Sequence, residues 1–123
     1  YELIPKSYFK HEVVGDIRDY DLLKSTIDQH NPDFVFHLAA MPIVSECYDR
    51  PMDAFATNAL GTVNVLEAIR KNGNVKVAVM ITSDKCYENV EWLYGYREND
   101  QLGGIDPYSA SKACAELAIS SYI

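Results

Sequence analysis

Val75-Lys76-Val77-Ala78-Val79-Met80-Ile81 is an apolar run rich in β-branched side chains and of the length of a buried strand. It hands the chain to Thr82-Ser83-Asp84-Lys85, a polar group at its carboxyl end. Working outward, Asp33-Phe34-Val35-Phe36-His37-Leu38-Ala39-Ala40 is a second run of strand length, ending in two small residues before a loop around Pro42. Small residues there allow something to approach the main chain. Between these runs, from about residue 51 to 71, Phe55, Ala59, Val63, Leu66 and Ile69 recur three to four residues apart. They predict one apolar stripe on a long helix that Asn72-Gly73 ends, and Gly61 within it predicts close packing. Upstream, Glu12-Val13-Val14-Gly15-Asp16 reads as a short strand leading to a turn. Asp19 then caps a helix reaching about residue 29, with Leu22, Leu23 and Ile27 on its buried side, until Asn31-Pro32 stops it. Strands alternating with amphipathic helices predict an α/β chain with a parallel sheet covered on both faces. In such sheets ligands bind beyond the carboxyl ends of the strands, which directs attention to residues 82–85.

Composition narrows the class. Apolar residues make up 48% of the 123, enough for a core, and no linker, repeat or low-complexity tract divides the chain, so residues 1–123 read as part of a single domain. Eleven Lys plus Arg against eighteen Asp plus Glu give a formal charge of -7, with no basic block to neutralise a phosphate backbone, so nucleic acid is not expected as a partner. No apolar stretch reaches the roughly 18 residues needed to span a bilayer. The polar opening, residues 1–6, lacks the form of a signal peptide, and the expectation is a soluble, cytoplasmic protein away from membranes. Cys47, Cys86 and Cys114 are odd in number and His11, His30 and His37 lack ligand spacing, so neither disulfides nor a metal site is expected. Cys86 reads either as a nucleophile or as a small buried residue at a strand end.

A polar and aromatic loop from about residue 86 to 105 is longer than structural connections usually are, which favours a functional loop. Asp106 and Pro107 then open the last helix as N-cap and first-turn residue. On that helix Tyr108 and Lys112, four apart, share a face. A free phenol ionises near pH ~10, and a neighbouring ammonium stabilises the phenolate, so the pair can supply a base. The same spacing also occurs on ordinary helix surface. Ser83, Asp84 and Lys85 add a hydroxyl, a carboxylate and an amine, converging only if the strand has ended before them.

Taken together, Thr82-Ser83-Asp84-Lys85-Cys86-Tyr87-Glu88-Asn89, Trp92, Gly95-Tyr96-Arg97-Glu98-Asn99-Asp100, Gly103-Gly104 and Asp106-Pro107-Tyr108-Ser109-Ala110-Ser111-Lys112 resemble the CDP-glucose 4,6-dehydratases, members of the extended short-chain dehydrogenase/reductase group. The resemblance extends from Gly15-Asp16-Ile17-Arg18-Asp19 onward, through His37-Leu38-Ala39-Ala40 and Thr57-Asn58-Ala59-Leu60-Gly61-Thr62-Val63. It implies a Rossmann-like doubly wound parallel sheet and an internal redox cycle, in which NAD takes hydride from sugar C4, water leaves across C5 and C6, and hydride returns to C6.

On matching positions, the resemblance implies that Tyr108 removes the C4 hydroxyl proton, Lys112 holds the nicotinamide ribose, Ser83 bonds the C4 oxygen and Asp84 protonates the departing C6 hydroxyl. Related dTDP-glucose dehydratases have glutamate at the position of Lys85, as the base at C5. Lys85 is thus both family marker and candidate base, a task that needs a neutral amine, and its plainer alternative is a salt bridge to Asp84. For the cofactor, the resemblance implies Asp16 on the adenine amino group, Ile17 on the ring, and Ala39 and Ala40 along the path, with Asn58 and Thr82 as further contacts. The plainer reading makes Asp16 a turn residue and lets Asn58 and Thr82 satisfy backbone groups.

The sequence departs from this pattern in having no G-x-x-G-x-x-G turn. In the resembled fold, of strand order 3-2-1-4-5, the segment near Val13 corresponds to the third strand. The expectation is therefore an internal fragment, lacking the first βαβ unit and the C-terminal substrate domain. Met41 and Ser45 stand where the family tends to have Gln and Arg. The functional expectation for a full-length parent is CDP-glucose 4,6-dehydration in deoxysugar supply for surface polysaccharides such as O-antigen, with association into a homodimer or higher homo-oligomer through helices near residues 52–71 and 107–122. Alternatives are a nucleotide-sugar 4-epimerase or another extended short-chain dehydrogenase, which need Ser83, Tyr108 and Lys112 but not Asp84 and Lys85, or a non-catalytic module.

Overall fold

Asp19 starts the first helix as its position predicts: its carboxylate accepts from the Leu22 amide at 3.0 Å and caps α1, Tyr20–His30. The structure, a computed structural model, describes residues 8–122, and the opening segment 1–6 lies outside them. Asn31 ends α1 in the left-handed region at φ 43°, its amide on Ile27 O at 2.8 Å. Ile27 is buried, with Leu22 and Leu23 half-buried beside it.

Strands β1, Phe34–His37, and β2, Val77–Met80, pair in parallel with Phe34 opposite Val77 and His37 opposite Met80. Both are shorter than the apolar runs around them because a ladder exists only where two extended segments overlap. Residues 12–16, expected as a strand, form none. No described strand lies beside them, and an extended segment without a ladder partner is not a strand. The turn that follows is instead tied to a helix: Asn64 Nδ2 donates to Ile17 O at 3.0 Å and to Arg18 O at 3.3 Å.

A short helix α2, Val44–Asp49, occupies the region read as a loop after Pro42. Next come α3, Pro51–Phe55, a wide π-turn, Ala56–Leu60, and α4, Gly61–Asn72. Helical dihedrals at Ala56, Leu60 and Gly61 make these one continuous rod, the long helix of the sequence reading with one widened turn in which the Gly61 amide bonds Ala56 O. Gly73 ends it at φ 73°.

The buried face of that rod differs from the stripe expected. Ala54, Asn58, Gly61, Thr62, Val65 and Ala68 are buried, whereas Phe55 is exposed and Ala59, Val63 and Ile69 are half-buried; Leu66 is the member of the predicted stripe that is buried. Small and polar residues face inward because the neighbouring chain comes close: a β-carbon on Gly61 would stand 2.5 Å from Ile17 Cδ1. The last helix, α5, Pro107–Ser121, has Asp106 as N-cap and Pro107 in its first turn, as predicted.

Helix α1 packs on α4, and α4 on α5. Alternation along β1 turns half-buried Val35 and buried His37 one way and exposed Phe34 and Phe36 the other. Val77 and Ile81 are also exposed. Among the described residues, then, helices cover one face of the sheet, not both. No described helix is long and apolar enough to cross a membrane.

Candidate active site

Beyond β2 the chain leaves the sheet at Ile81, and Asp84–Cys86 coils into one 3-10 turn with Ser83 as its N-cap. The strand has therefore ended before the polar triplet, the condition under which Ser83, Asp84 and Lys85 can converge. The Ser83 hydroxyl accepts from the Lys85 amide at 3.2 Å and donates to Asp84 Oδ1 at 3.2 Å. Lys85 is exposed, and no ion pair joins it to Asp84 among the described residues.

Helix α5 packs directly against this turn. Tyr108, Lys112 and Glu116 are spaced four apart and share a face. Lys112 is 5% exposed, and its Nζ donates to Ile81 O at 3.3 Å. Glu116 is hydrogen-bonded by the Thr82 hydroxyl. Two members of that face thus hold the two residues that leave β2, and Tyr108 lies one turn before them, half-buried. Burial pushes the Lys112 ammonium below its ordinary range, with the Glu116 carboxylate acting in the opposite sense. The lysine is not a solvated surface charge.

Asp106 secures the start of α5. It accepts from Ser109 N at 3.0 Å and from Ser109 Oγ at 2.5 Å. Burial works to raise its pKa, but the Ser109 and Tyr108 hydrogen bonds and the charge of Lys85 outweigh it, and the carboxyl lies below its usual range. Gly104 lies flat on the same turn: a β-carbon there would meet Ala110 N and the Ser109 carbonyl carbon at 2.5 Å.

The long loop closes on itself through an antiparallel bridge between Tyr87 and Leu102, with Glu88 N on Gln101 O at 2.8 Å and Gly103 N on Cys86 O at 2.9 Å. Inside it Tyr87 and Tyr96 stack at 5.5 Å, and the Tyr96 hydroxyl donates to Asn89 Oδ1 at 2.9 Å. Between this loop and α5 opens a cleft of about 410 Å³, lined by Asp84, Lys85, Tyr87, Glu88, Asn89, Tyr96, Gly104, Ile105, Asp106 and Ser109. Asp84 and Lys85 line it, whereas Ser83, Tyr108 and Lys112 lie outside its lining. The aromatic composition of the loop was visible in the sequence; that Tyr87 and Tyr96 form one wall was not. Cys86 is buried, and burial pushes its thiol up, with Glu116 adding to the effect, which favours the small buried residue over the nucleophile.

Of the residues assigned to a cofactor, Thr82 and Lys112 lie at the α5 face described above, and the remainder fall into two groups. Ala39 is exposed and Ala40 half-buried at the carboxyl end of β1. The next residue is held by Asn58, whose Oδ1 accepts from Met41 N at 2.8 Å and whose Nδ2 donates to Met41 O at 3.2 Å. Asn58 is 1% exposed, in the π-turn. Asp16 and Ile17 line a separate shallow depression against α1. Both Asp16 oxygens are engaged by Arg18, which also reaches Asp53 at 3.0 Å, and the Arg18 hydrogen bonds hold the Asp16 carboxyl below its ordinary range.

His37, unassigned in the sequence reading, is 6% exposed with Nε2 3.1 Å from Thr62 Oγ1. Thr62 donates its proton to Asn58 O at 2.7 Å, so His37 is the donor in that pair. Burial, then the charge of Lys112, holds the imidazole below its ordinary pKa. The signal for it was a lone polar residue inside an apolar strand run.

Residues 5–123 match the family model described as GDP-mannose 4,6 dehydratase. The chain is 47% identical over 122 residues to CDP-glucose 4,6-dehydratase of Salmonella typhimurium, an alignment covering 99% of this chain and 34% of that protein. It is 42% identical over 74 residues to UDP-glucose 4-epimerase of Rickettsia canadensis, covering 60% of this chain and 21% of the relative. Among solved structures, Pal from Bacillus thuringiensis superposes with a TM-score of 0.83 at 28% identity, over 98% of this chain and 38% of that one. UDP-glucose 4-epimerase from Brucella ovis, in complex with NAD, superposes at 0.79 and 29% identity, over 89% and 33%. The helices and two parallel strands are thus part of a Rossmann-like α/β fold, and the chain spans about a third of the length of the Salmonella relative.

Proposed function

Because this chain belongs to the GDP-mannose 4,6 dehydratase family, we propose that the protein carrying it is an NAD-dependent CDP-glucose 4,6-dehydratase. The observation that carries the reading is the buried Lys112 amine on Ile81 O, which puts the tyrosine-lysine face of α5 against the residues leading into Ser83, Asp84 and Lys85. An epimerase uses Ser83, Tyr108 and Lys112 alone. The dehydratase reading also gives Asp84 and Lys85 a task, and it is supported by the 47% identity to the Salmonella enzyme.

In this reading Tyr108 takes the proton of the C4 hydroxyl, and Lys112 favours the phenolate. Ser83 holds the C4 oxygen, Asp84 gives a proton to the departing C6 hydroxyl, and Lys85 takes the proton from C5. NAD, when bound, supplies the hydride acceptor for C4 and the donor for C6. The residues suit such a cofactor: Lys112 Nζ carries three N–H groups and has one hydrogen-bond partner among the described residues, which leaves donors for a ribose diol. Ala39 and Ala40 present only methyl groups where the cofactor would pass, and Asp16, with Ile17 beside it, would meet an adenine amino group on giving up part of its bonding to Arg18.

Exposed Met52 and Leu60 on the α3–α4 rod and Leu117 on α5 support self-association through these helices. The product would enter deoxysugar supply for surface polysaccharide in the cytoplasm. The test is product analysis after incubating the complete protein with CDP-glucose. Loss of one water, giving a 4-keto-6-deoxy sugar, is expected. An isomer of unchanged mass would make the protein an epimerase instead.

A further inference from the structure

Ser111 sits between Tyr108 and Lys112 in sequence and is fully buried. A serine is a poorer helix former than alanine, and a buried hydroxyl is costly unless it is bonded, so its place inside α5 calls for a partner. It has two. The hydroxyl donates to the Tyr108 carbonyl at 2.7 Å and accepts from Asn58 Nδ2 at 2.9 Å. A hydroxyl has one proton, and with that proton on Tyr108 O, the direction of the second bond is fixed.

The Asn58 amide is correspondingly determined. Its oxygen accepts from Met41 N, and its nitrogen donates to both Met41 O and Ser111 Oγ. The main chain of Asn58 is secured separately, since Thr62 Oγ1 donates to its carbonyl and itself accepts from His37 Nε2. A continuous hydrogen-bonded chain therefore runs from the loop after Ala39 and Ala40, through the π-turn, to the carbonyl of Tyr108.

We propose that Ser111 is a positioning residue, which through Asn58 locks the first turn of α5 to the loop after β1 so that Tyr108 and the cofactor-side loop keep one relative placement. This deepens the dehydratase reading and rests on it for its catalytic consequence. Removing the hydroxyl unties the Tyr108 turn from Asn58 and leaves a buried Asn58 N–H unpaired, and Met41 loosens as a result. A misplacement of about 1 Å can cost roughly a hundredfold in rate.

The experiment uses Ser111→Ala in the complete protein, with Asn58→Ala and the double variant beside it. Steady-state kinetics with CDP-glucose and amide hydrogen exchange of the peptides containing Met41 and Tyr108 are measured at a temperature where all are folded. For Ser111→Ala the expected result is a fall in kcat of about tenfold or more, KM within about threefold, and faster exchange at Met41. The double variant should lose less than the product of the two single losses. Unchanged exchange at Met41 would overturn the coupling, and faster exchange with kcat unchanged would overturn the positioning role. If the unmodified protein fails to dehydrate CDP-glucose, the functional reading falls while hydrogen exchange still decides whether Ser111 and Met41 are coupled.

Discussion

Replacing Gly104 by alanine tests how closely the long loop fixes α5, the helix that carries Tyr108 and Lys112. The added β-carbon would lie 2.5 Å from Ala110 N, from the Ser109 carbonyl carbon and from Ser109 Cβ, where ordinary contact begins at 3.4 Å. The main chain of α5 cannot rotate out of the way as a side chain can, so loop and helix must separate by about 1 Å. Overpacking of this kind costs about 1–3 kcal/mol. Against it stands the entropy lost from the unfolded chain when glycine becomes alanine, which favours the variant by about 0.4–1 kcal/mol. The overpacking is larger, so the net effect is destabilising by about 1–2 kcal/mol. The catalytic effect is larger still, because Tyr108 lies in the turn that is displaced, and a shift of about 1 Å lowers the rate by roughly a hundredfold. The assay is kcat/KM of the complete protein on CDP-glucose together with thermal melting. Gly95→Ala serves as the control, since a β-carbon there meets nothing within 4 Å. Activity of Gly104→Ala within twofold of the unmodified protein, at unchanged stability, would refute the reasoning.

Three further outcomes follow. Asp19→Ala removes the α1 cap and should cost about 1 kcal/mol in chemical denaturation with kcat unaffected. Asp106→Ala removes a cap of the same kind and also frees Ser109, so it should lower both stability and kcat, the latter seen in steady-state kinetics. The imidazole of His37 is held below its ordinary value of 6.5, so as pH falls through that value the unfolded chain takes up a proton that the folded one does not. Stability should therefore drop on going from about pH 7.5 to about pH 5.5, and His37→Gln should lack that part of the slope in denaturation curves.

Local chemistry made the helix ends legible. Asp19, Asn31, Gly73, Asp106 and Pro107 each act through their own side chain or dihedral angles, so the sequence alone marks the boundaries they set. Strand ends were less legible because they depend on a partner: β1 and β2 stop where their overlap stops, and residues 12–16 have no described neighbour to pair with. Helix α2 escaped notice because Val44–Asp49 is too short to show a period after the Pro42 turn.

The stripe on the long helix was read from its large apolar residues, whereas the inward face carries Gly61 against Ile17, Asn58 bonded to Met41 and Ser111, and Thr62 bonded to His37. At the site, the Tyr108 and Lys112 spacing and the polar triplet after β2 were readable. The π-turn and the Asn58–Ser111 bond were not, since a single widened turn has no residue type of its own to announce it and a bond across 53 positions leaves no mark in local sequence.

Replacement of Tyr108 by phenylalanine in the complete protein is the most direct test of the acid-base role of the α5 face. Binding of CDP-glucose and hydride transfer to NAD, followed separately in a single turnover, should show unaltered substrate affinity with transfer slowed by about a hundredfold or more. Turnover at the unmodified rate would remove Tyr108, and with it the α5 face, from the chemistry.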